Sequence, residues 1–199
     1  MPSIRPYEPS DLDALYEICL RTGAAGQDAT AMLEDGTLFG ELYAAPYGVL
    51  EPEHALILAA DDGAAVGYAL GALDTRAFEA RCAAEWWPVA QARHPRDPEG
   101  RGLDALLIDL LHAPHTADAT VLARYPSHLH IDLLPAAQGG GWGRRLMEAL
   151  FALLAADGST GVHWGVSRAN EPALGFYRHL GAQEIGEDPM THRFGWPLP

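Results

Sequence analysis

The sequence predicts an α/β (α+β) fold in which one mixed β-sheet carries helices on both faces. Short apolar segments bounded by turn residues predict strands, and apolar residues at helical spacing predict the helices between them. The elements follow the order β-α-α-β-β, then a helical insertion, then β-α-β-α-β-β, which indicates a sheet between helical layers. No repeat or long linker interrupts the 199 residues, so we expect a single domain over residues 1–199.

Turn residues separate the predicted strands. Asp61-Asp62-Gly63 joins two of them into a hairpin, and Pro135 ends the strand before the long helix. The segments predicted as strands are residues 4–7, 55–60, 65–73, 128–134, 162–166, 182–187 and 190–195.

Capping residues mark several predicted helices. Ser10 is predicted to cap the first, with Asp13 completing a capping box, and a second helix is predicted over about residues 29–42. Asn170 is predicted to cap the last helix, which ends at Gly181. The long helix that begins near residue 142 is expected to bury Leu146, Leu150, Leu153 and Leu154.

The helical insertion is predicted at about residues 74–127. Its first helix should run from about Thr75 to Ala92, with a kink or an end at Pro88, and a short helix follows over residues 103–111. The residues expected on one buried face of the first helix are Phe78, Cys82, Trp86 and Val89.

Composition and charge narrow the function classes. The formal net charge of −14 argues against a nucleic-acid partner and fits a cationic substrate. No apolar run approaches the roughly 20 residues of a membrane span, and the first residues are not typical of a secretory signal. Cys19 and Cys82 are interpreted as reduced core residues of a cytoplasmic protein, monomeric or homodimeric, and no Cys/His spacing suggests a metal site.

A glycine-rich segment, Gln138-Gly139-Gly140-Gly141-Trp142-Gly143, joins a strand to the long helix. The first amides of a helix have no partner inside it, and the helix dipole adds partial positive charge there, so phosphates bind at such places. Arg144 and Arg145 add charge in the first turn. From the residues alone, the alternative that the glycines serve only the geometry of a turn stays open. A dinucleotide fold would need the pattern G-x-G-x-x-G after an early strand.

The segment resembles the signature of the GNAT acetyltransferase superfamily, which is an apolar strand, a proline and then [QR]-x-x-G-x-[GA] opening a long helix. Gln138, Gly141 and Gly143 match its defined positions. The run from Asn170 to Ala182 is similar to the second motif of that family. The resemblance implies a GNAT fold with a mixed, mostly antiparallel sheet of about seven strands. It also implies direct transfer of an acetyl group from acetyl-CoA, as co-substrate, to an amine.

The resemblance also implies roles for individual residues. Asn170 would contact the cofactor arm, and Tyr177 would protonate the leaving thiolate. The main chain around Leu133–Pro135 and Trp164–Val166 would hold the pantetheine arm through hydrogen bonds. From the residues alone, Asn170 is also a helix cap and Tyr177 also a core aromatic. The cofactor-binding residues implied are Leu133, Leu134, Gln138, Gly139, Gly140, Gly141, Trp142, Gly143, Arg144, Asn170 and Tyr177.

A narrower resemblance points to the acetyltransferase-like C-terminal domain of eukaryotic O-GlcNAc hydrolases, of which this chain looks like a free-standing bacterial relative. The glycine-rich loop is a departure from those domains and favours cofactor binding. The residues that carry this resemblance are Ile4-Arg5-Pro6-Tyr7, Ile18-Cys19, Gly67-Tyr68-Ala69-Leu70-Gly71, Asp74, Phe78, Cys82, Trp87-Pro88, Tyr125-Pro126-Ser127 and Asp132.

An amine must be neutral to attack a thioester. At pH 7, deprotonation costs about 4.6 kcal/mol for a lysine side chain and about 1 kcal/mol for an α-amino group, so a lysine-type acceptor needs a general base more. Asp132, a carboxylate within an apolar strand, is the first candidate, and a structural hydrogen bond to a neighbouring loop is the alternative. His128 and His130 alternate with Asp132, which predicts that all three lie on one face of the sheet.

Other candidates lie in the helical insertion. Asp74 and Glu85 are further possible bases, and Trp86 and Trp87 either wall the acceptor pocket or pack in the core. Two alternatives to an active N-acetyltransferase stay open. One is a weak or inactive acetyl-CoA-binding interaction module, and the other is a peptide-binding domain without the cofactor.

Overall fold

A seven-stranded sheet forms the centre of the computed structural model, which describes residues 1–199. Its strands are β1 (Ser3–Pro6), β2 (Ala55–Ala59), β3 (Ala65–Ala72), β4 (Ser127–Leu133), β5 (Gly161–Ser167), β6 (Gln183–Glu187) and β7 (Thr191–Pro197). They lie in the order β1-β2-β3-β4-β5-β7-β6. Only the β4–β5 pair is parallel, so the predicted mixed and mostly antiparallel sheet is confirmed.

Helices cover both faces of this sheet. They are α1 (Leu12–Thr22), α2 (Leu38–Tyr43), α3 (Ala45–Leu50), α4 (Thr75–Arg81), α5 (Trp87–Arg93), α6 (Gly102–His112), α7 (Ala119–Leu122), α8 (Trp142–Ala156) and α9 (Glu171–Leu180). None of them has the length and the apolar character that a membrane span requires.

Two hydrophobic cores lie on opposite sides of the sheet, because successive strand residues point to opposite faces. On the first face, α1, α2, α3 and the helical insertion pack against Tyr68 and Leu70 of β3. On the second face, α8 and α9 pack against Leu129 of β4 and Trp164 of β5. Cys19 and Cys82 are buried in the first core as free thiols.

The sheet opens in its middle. The parallel pair β4–β5 is joined at Ser127 to Val162 and at His128 to His163, and no further pairing follows. In contrast, β4 stays paired with β3 as far as Leu133, and β5 stays paired with β7 as far as Ser167. The two halves of the sheet therefore diverge toward the carboxyl ends of β4 and β5, which leaves a gap there.

The structure corrects two expectations near the N-terminus. The predicted helix over residues 29–42 is wrong, because this segment holds a single turn at Thr30–Met32 and only then α2. The Asp104 carboxylate of α6 accepts hydrogen bonds from the main-chain amides of Glu34 and Asp35, which fixes an irregular backbone before α2. The predicted capping box of Ser10 and Asp13 is also wrong, because Ser10 lies in a 3₁₀ turn at Pro9–Asp11 and no side chain caps α1. In that turn, Asp11 accepts a hydrogen bond from the Glu8 amide at 2.8 Å.

The helical insertion continues past its proline. A widened turn at Cys82–Trp86, in which the Trp87 amide donates to the Cys82 carbonyl, comes immediately before α5. Pro88 therefore lies in the first turn of α5, where its missing N–H breaks no hydrogen bond.

Two apolar residues that the helical spacing predicts as buried are exposed. Val89 of α5 has 56% of its surface accessible, and Leu153 of α8 has 36%. Each lies one position away from a fully buried residue of the same helix, Ala90 and Leu154 respectively, so the true buried stripe is narrower than the spacing predicts.

A buried histidine immediately before β2 contacts the residue that follows α8. His54 Nε2 lies 2.8 Å from Asp157 Oδ2, and Nδ1 lies 3.3 Å from Glu51 Oε2. The hydrogen bond to Glu51 raises the pKa of His54 above its usual value, and Asp157 adds to the effect against the cost of burial.

This cluster predicts a specific pH dependence of stability. A raised folded-state pKa means that the His54 contribution is complete below the unfolded pKa of about 6.5 and is lost as the pH rises through the folded-state value. We expect the difference in unfolding free energy between the wild type and His54→Gln, measured in urea, to shrink by about 1 kcal/mol between about pH 6 and about pH 9. A difference that stays constant over this range would contradict the assignment.

Candidate active site

The gap between β4 and β5 forms a cleft of about 130 Å³ that passes between the two faces of the sheet. His130 and Asp132 of β4 line it from the first face, and Tyr177 of α9 lines it from the second. Asn170 at the start of α9 and residues 164–167 of β5 complete the walls. Side chains from both cores therefore meet in one opening.

Strand alternation decides which main-chain groups face the cleft. The Leu134 amide donates to the Val66 carbonyl of β3 at 2.9 Å, and the Leu134 carbonyl accepts from the Ala137 amide at 2.8 Å. The Leu134 amide is thus already paired, and its carbonyl accepts one hydrogen bond; its role in cofactor binding stays a prediction. Because neighbouring residues in a strand direct their amides to opposite sides, the Leu133 amide points toward β5 and the gap.

The glycine-rich loop is tied to the end of β4. Gln138 Nε2 donates to the Leu133 carbonyl at 2.9 Å, so the glutamine folds back and holds the loop beside the gap. Gly139 and Gly141 have φ angles of 80° and 76°, a conformation that is strained for other residues. A Cβ at Gly143 would lie 3.1 Å from Phe176, which shows how closely α8 approaches α9 here.

An uninterrupted row of free amides follows. None of the six main-chain amides from Gly139 to Arg144 donates a hydrogen bond within the chain. They precede and open the 15-residue helix α8, whose dipole adds partial positive charge at this end. Arg145 stacks over the Trp142 ring at 4.7 Å, and Arg144 lies 3.5 Å from Glu148. This arrangement can bind a phosphate or pyrophosphate.

Asn170 caps α9 and contacts a loop from the other end of the chain. Its Oδ1 accepts from the Ala173 amide at 3.1 Å, which confirms it as the N-cap. A Cβ at Gly26, whose φ is 87°, would lie 3.0 Å from the Asn170 Nδ2 atom. The loop after α1 thus packs on the polar wall of the cleft.

Tyr177 is a core aromatic that also lines the cleft. Only 6% of its surface is exposed, and its ring packs against Trp164 at 5.2 Å and Phe194 at 5.5 Å. Burial, followed by the negative charge of Asp132, raises the pKa of Tyr177 well above its usual value. The phenol is therefore protonated at neutral pH and can donate a proton into the cleft.

Asp132 accepts a hydrogen bond from the Tyr68 hydroxyl at 2.6 Å. Burial raises the pKa of Asp132 to about 6, although the hydrogen bond from Tyr68 acts in the opposite direction. The structural partner is therefore a strand residue and not a neighbouring loop. At pH 7 the carboxylate is largely ionised and yet close to its pKa, as a general base should be.

His128 and His130 share the face of Asp132, as their alternation predicts, but they belong to an aromatic cluster. His130 packs 5.5 Å from both Tyr43 and Tyr47, and His128 Nδ1 lies 2.9 Å from Thr75 Oγ1. Burial lowers the pKa of His130 to about 4, so its imidazole is neutral at pH 7. No group of three or more His, Cys, Asp or Glu side chains is arranged so that it could hold a metal ion.

Comparison with known proteins decides the family. The family model described as the Acetyltransferase (GNAT) family matches residues 118–182, which include β4, the glycine-rich loop, α8, β5 and α9. The crystal structure of SsHAT is 42% identical, covers 98% of both chains and superposes with a TM-score of 0.93. The chain belongs to the GNAT acetyltransferase family.

Other relatives of this GNAT chain are more distant. The Protein O-GlcNAcase of Rattus norvegicus is 27% identical over 193 residues, which make up 93% of this chain and 20% of that protein. The chain therefore spans about a fifth of the length of the curated relatives it matches. The phosphinothricin acetyltransferase of Sinorhizobium meliloti, solved in complex with AcCoA, has the same fold, with a TM-score of 0.58 at 15% identity.

The candidates in the helical insertion of this GNAT domain lie outside the cleft. Asp74 caps α4 by accepting from the Ala77 amide at 2.9 Å, and Glu85 pairs with Arg81 at 3.5 Å on the surface. Trp86 is buried and donates to the Glu41 carbonyl at 3.0 Å, while Trp87 packs against the first core. Core packing is the correct interpretation of both tryptophans.

The sequence did not indicate Tyr68 as part of the site, and for Trp164 it indicated a role of the main chain but not of the side chain. Tyr68 contacts Asp132 only because β3 and β4 pair in the register that places these two residues opposite each other. Trp164 lines the cleft, and its buried Nε1 has no hydrogen-bond partner. Both features depend on strand pairing and packing, for which no short sequence motif exists.

Proposed function

We propose that this GNAT chain binds acetyl-CoA as co-substrate and transfers the acetyl group directly to an amine. The observation that carries the proposal is the row of six free amides from Gly139 to Arg144, next to a cleft that holds a carboxylate and a protonated phenol. The amides suit a pyrophosphate, and the adjoining cleft suits a narrow thioester-bearing arm.

The amide row explains how a chain with a net charge of −14 can bind an anion. At physiological salt, charges beyond about 8 Å are strongly screened, so the local amides outweigh distant carboxylates. A single helix terminus stabilises an exposed anion by only about 0.3–1 kcal/mol, so several amides must act together. The Leu133 amide, which faces the gap, would bind the arm and polarise the thioester carbonyl.

The cleft provides a base and an acid for the transfer. Asp132 takes a proton from the acceptor's ammonium group, and the neutral nitrogen attacks the thioester carbonyl carbon to form the C–N bond. As the C–S bond breaks, Tyr177 donates its proton to the leaving thiolate. The nitrogen loses its second proton as the tetrahedral intermediate collapses, and this proton restores Tyr177. The proton held by Asp132 is then released to solvent.

The binding claim is tested by a matched pair of charge insertions at the two ends of α8. Gly139 and Gly158 both have a left-handed φ, 80° and 93°, and both have open space where a side chain would go. Gly139→Asp puts a carboxylate beside the amide row, where it should repel the phosphates of acetyl-CoA by about 1–2 kcal/mol. Calorimetry should therefore show binding of acetyl-CoA that is weaker by about tenfold.

Gly158→Asp is the control, because it introduces the same charge and similar strain at the far end of the helix. Its affinity for acetyl-CoA should equal that of the wild type. Equal weakening in both variants, or no stabilisation of the wild type by millimolar acetyl-CoA in a thermal-shift titration, would contradict the proposed site.

The transfer claim is tested by Tyr177→Phe. Removal of the general acid should lower kcat by about 10²-fold while the Kd for acetyl-CoA changes little, since the phenyl ring keeps its packing. Thiol release with a panel of primary amines measures turnover. Tyr7→Phe is the control, because Tyr7 is a buried tyrosine of the first core away from the cleft.

Unchanged kcat in Tyr177→Phe would remove this residue from the mechanism. If the wild type binds acetyl-CoA but releases thiol at the same rate with and without every amine, the chain is an acetyl-CoA-binding module and the transfer proposal is wrong.

A further inference from the structure

Tyr68 is a completely buried tyrosine, and its hydroxyl is linked to the cleft through the side chain of Asp132. It has no exposed surface, and its hydroxyl donates to Asp132 Oδ2 at 2.6 Å. The two residues are direct partners in the β3–β4 ladder, so their Cα atoms lie opposite each other and their side chains share the first face. This bond is therefore held by backbone pairing and not by a mobile loop.

We propose that Tyr68 is a positioning residue, whose hydroxyl holds one oxygen of the Asp132 carboxylate so that the other lone pairs stay available to the acceptor amine in the cleft. The inference rests on the proposed function, in which Asp132 is the general base. It assigns to a buried core tyrosine a role in the chemistry of the site.

The surroundings of Asp132 explain why the Tyr68 hydroxyl affects the ionised carboxylate. The groups that face the carboxylate are Tyr68 of β3, Cys19 and Thr22 of α1 and Tyr177 of α9, with His130 as its neighbour on β4. No lysine or arginine is among them, and His130 is neutral at pH 7. The hydrogen bond from Tyr68 therefore stabilises the ionised carboxylate against the cost of burial.

The geometry of the phenol suits this role. The Tyr68 ring is packed in the first core, where Cys19 of α1 is also buried. A hydrogen bond of 2.6 Å to an ionised acceptor is of the charge-assisted kind.

The test compares two buried tyrosines of the same core. Tyr68→Phe removes the hydroxyl that contacts Asp132, and Tyr47→Phe removes a buried hydroxyl elsewhere in that core. Loss of the donor destabilises the carboxylate, so the pKa of Asp132 should rise by about one pH unit or more in Tyr68→Phe. The acidic limb of the pH profile of kcat/KM should move upward by the same amount, and Tyr47→Phe should leave it in place.

A second readout is independent of turnover. Titration of the Asp132 carboxyl carbon by ¹³C NMR, assigned with Asp132→Asn, should show the same upward shift in Tyr68→Phe and none in Tyr47→Phe. An unmoved carboxyl titration in Tyr68→Phe overturns the inference, whether or not the enzyme turns over. A shifted titration with an unmoved kinetic limb overturns the role of the bond in catalysis.

Failure of the proposed function would be recognised separately, because the wild type would then show no amine-dependent release of thiol. If Tyr68→Phe does not fold, 3-fluorotyrosine at position 68 keeps the ring and strengthens the hydroxyl as a donor. The Asp132 titration should then move to lower pH, and an unchanged titration would equally overturn the inference.

Discussion

The short parallel pairing of β4 with β5 is the constraint on which the rest of the site depends. After Ser127 and His128 the two strands separate, while each stays paired with its other neighbour. The separation leaves main-chain groups of β4 without a strand partner and opens a passage between two hydrophobic cores. Asp132 and Tyr177, which belong to opposite faces, can therefore reach one substrate.

In the proposed site, uncharged main-chain donors rather than charged side chains would bind the anion. Amides at the start of α8 are fixed by two left-handed glycines and by the bond from Gln138 to the Leu133 carbonyl. Such groups are already oriented before a ligand arrives, so little ordering entropy is lost on binding. Arg144 and Arg145 add positive charge in the first turn, but Arg144 pairs with Glu148 and Arg145 stacks on Trp142.

Much of the fold and the loop could be predicted from sequence, because local patterns specify them. Strand segments, the long helix and the Asn170 cap follow from apolar periodicity and capping chemistry, and the loop motif has a defined spacing. The irregular segment before α2 could not be predicted, since its backbone depends on Asp104, which lies about 70 positions away in sequence. The hydrogen bond from Tyr68 to Asp132 depends on the register in which β3 and β4 pair. The pairing of the Leu134 amide depends on which alternate residues of β4 direct their amides toward β3.

The central claim is that the loop amides and the Leu133 amide bind acetyl-CoA beside the cleft. A ¹H–¹⁵N NMR titration of the wild-type chain with acetyl-CoA observes these amides directly. The account predicts saturable shifts concentrated at residues 139–144 and at Leu133, with small changes at Leu134, whose amide is already bonded to Val66. Saturation without shifts in the loop, or shifts confined to the helical insertion, would contradict it.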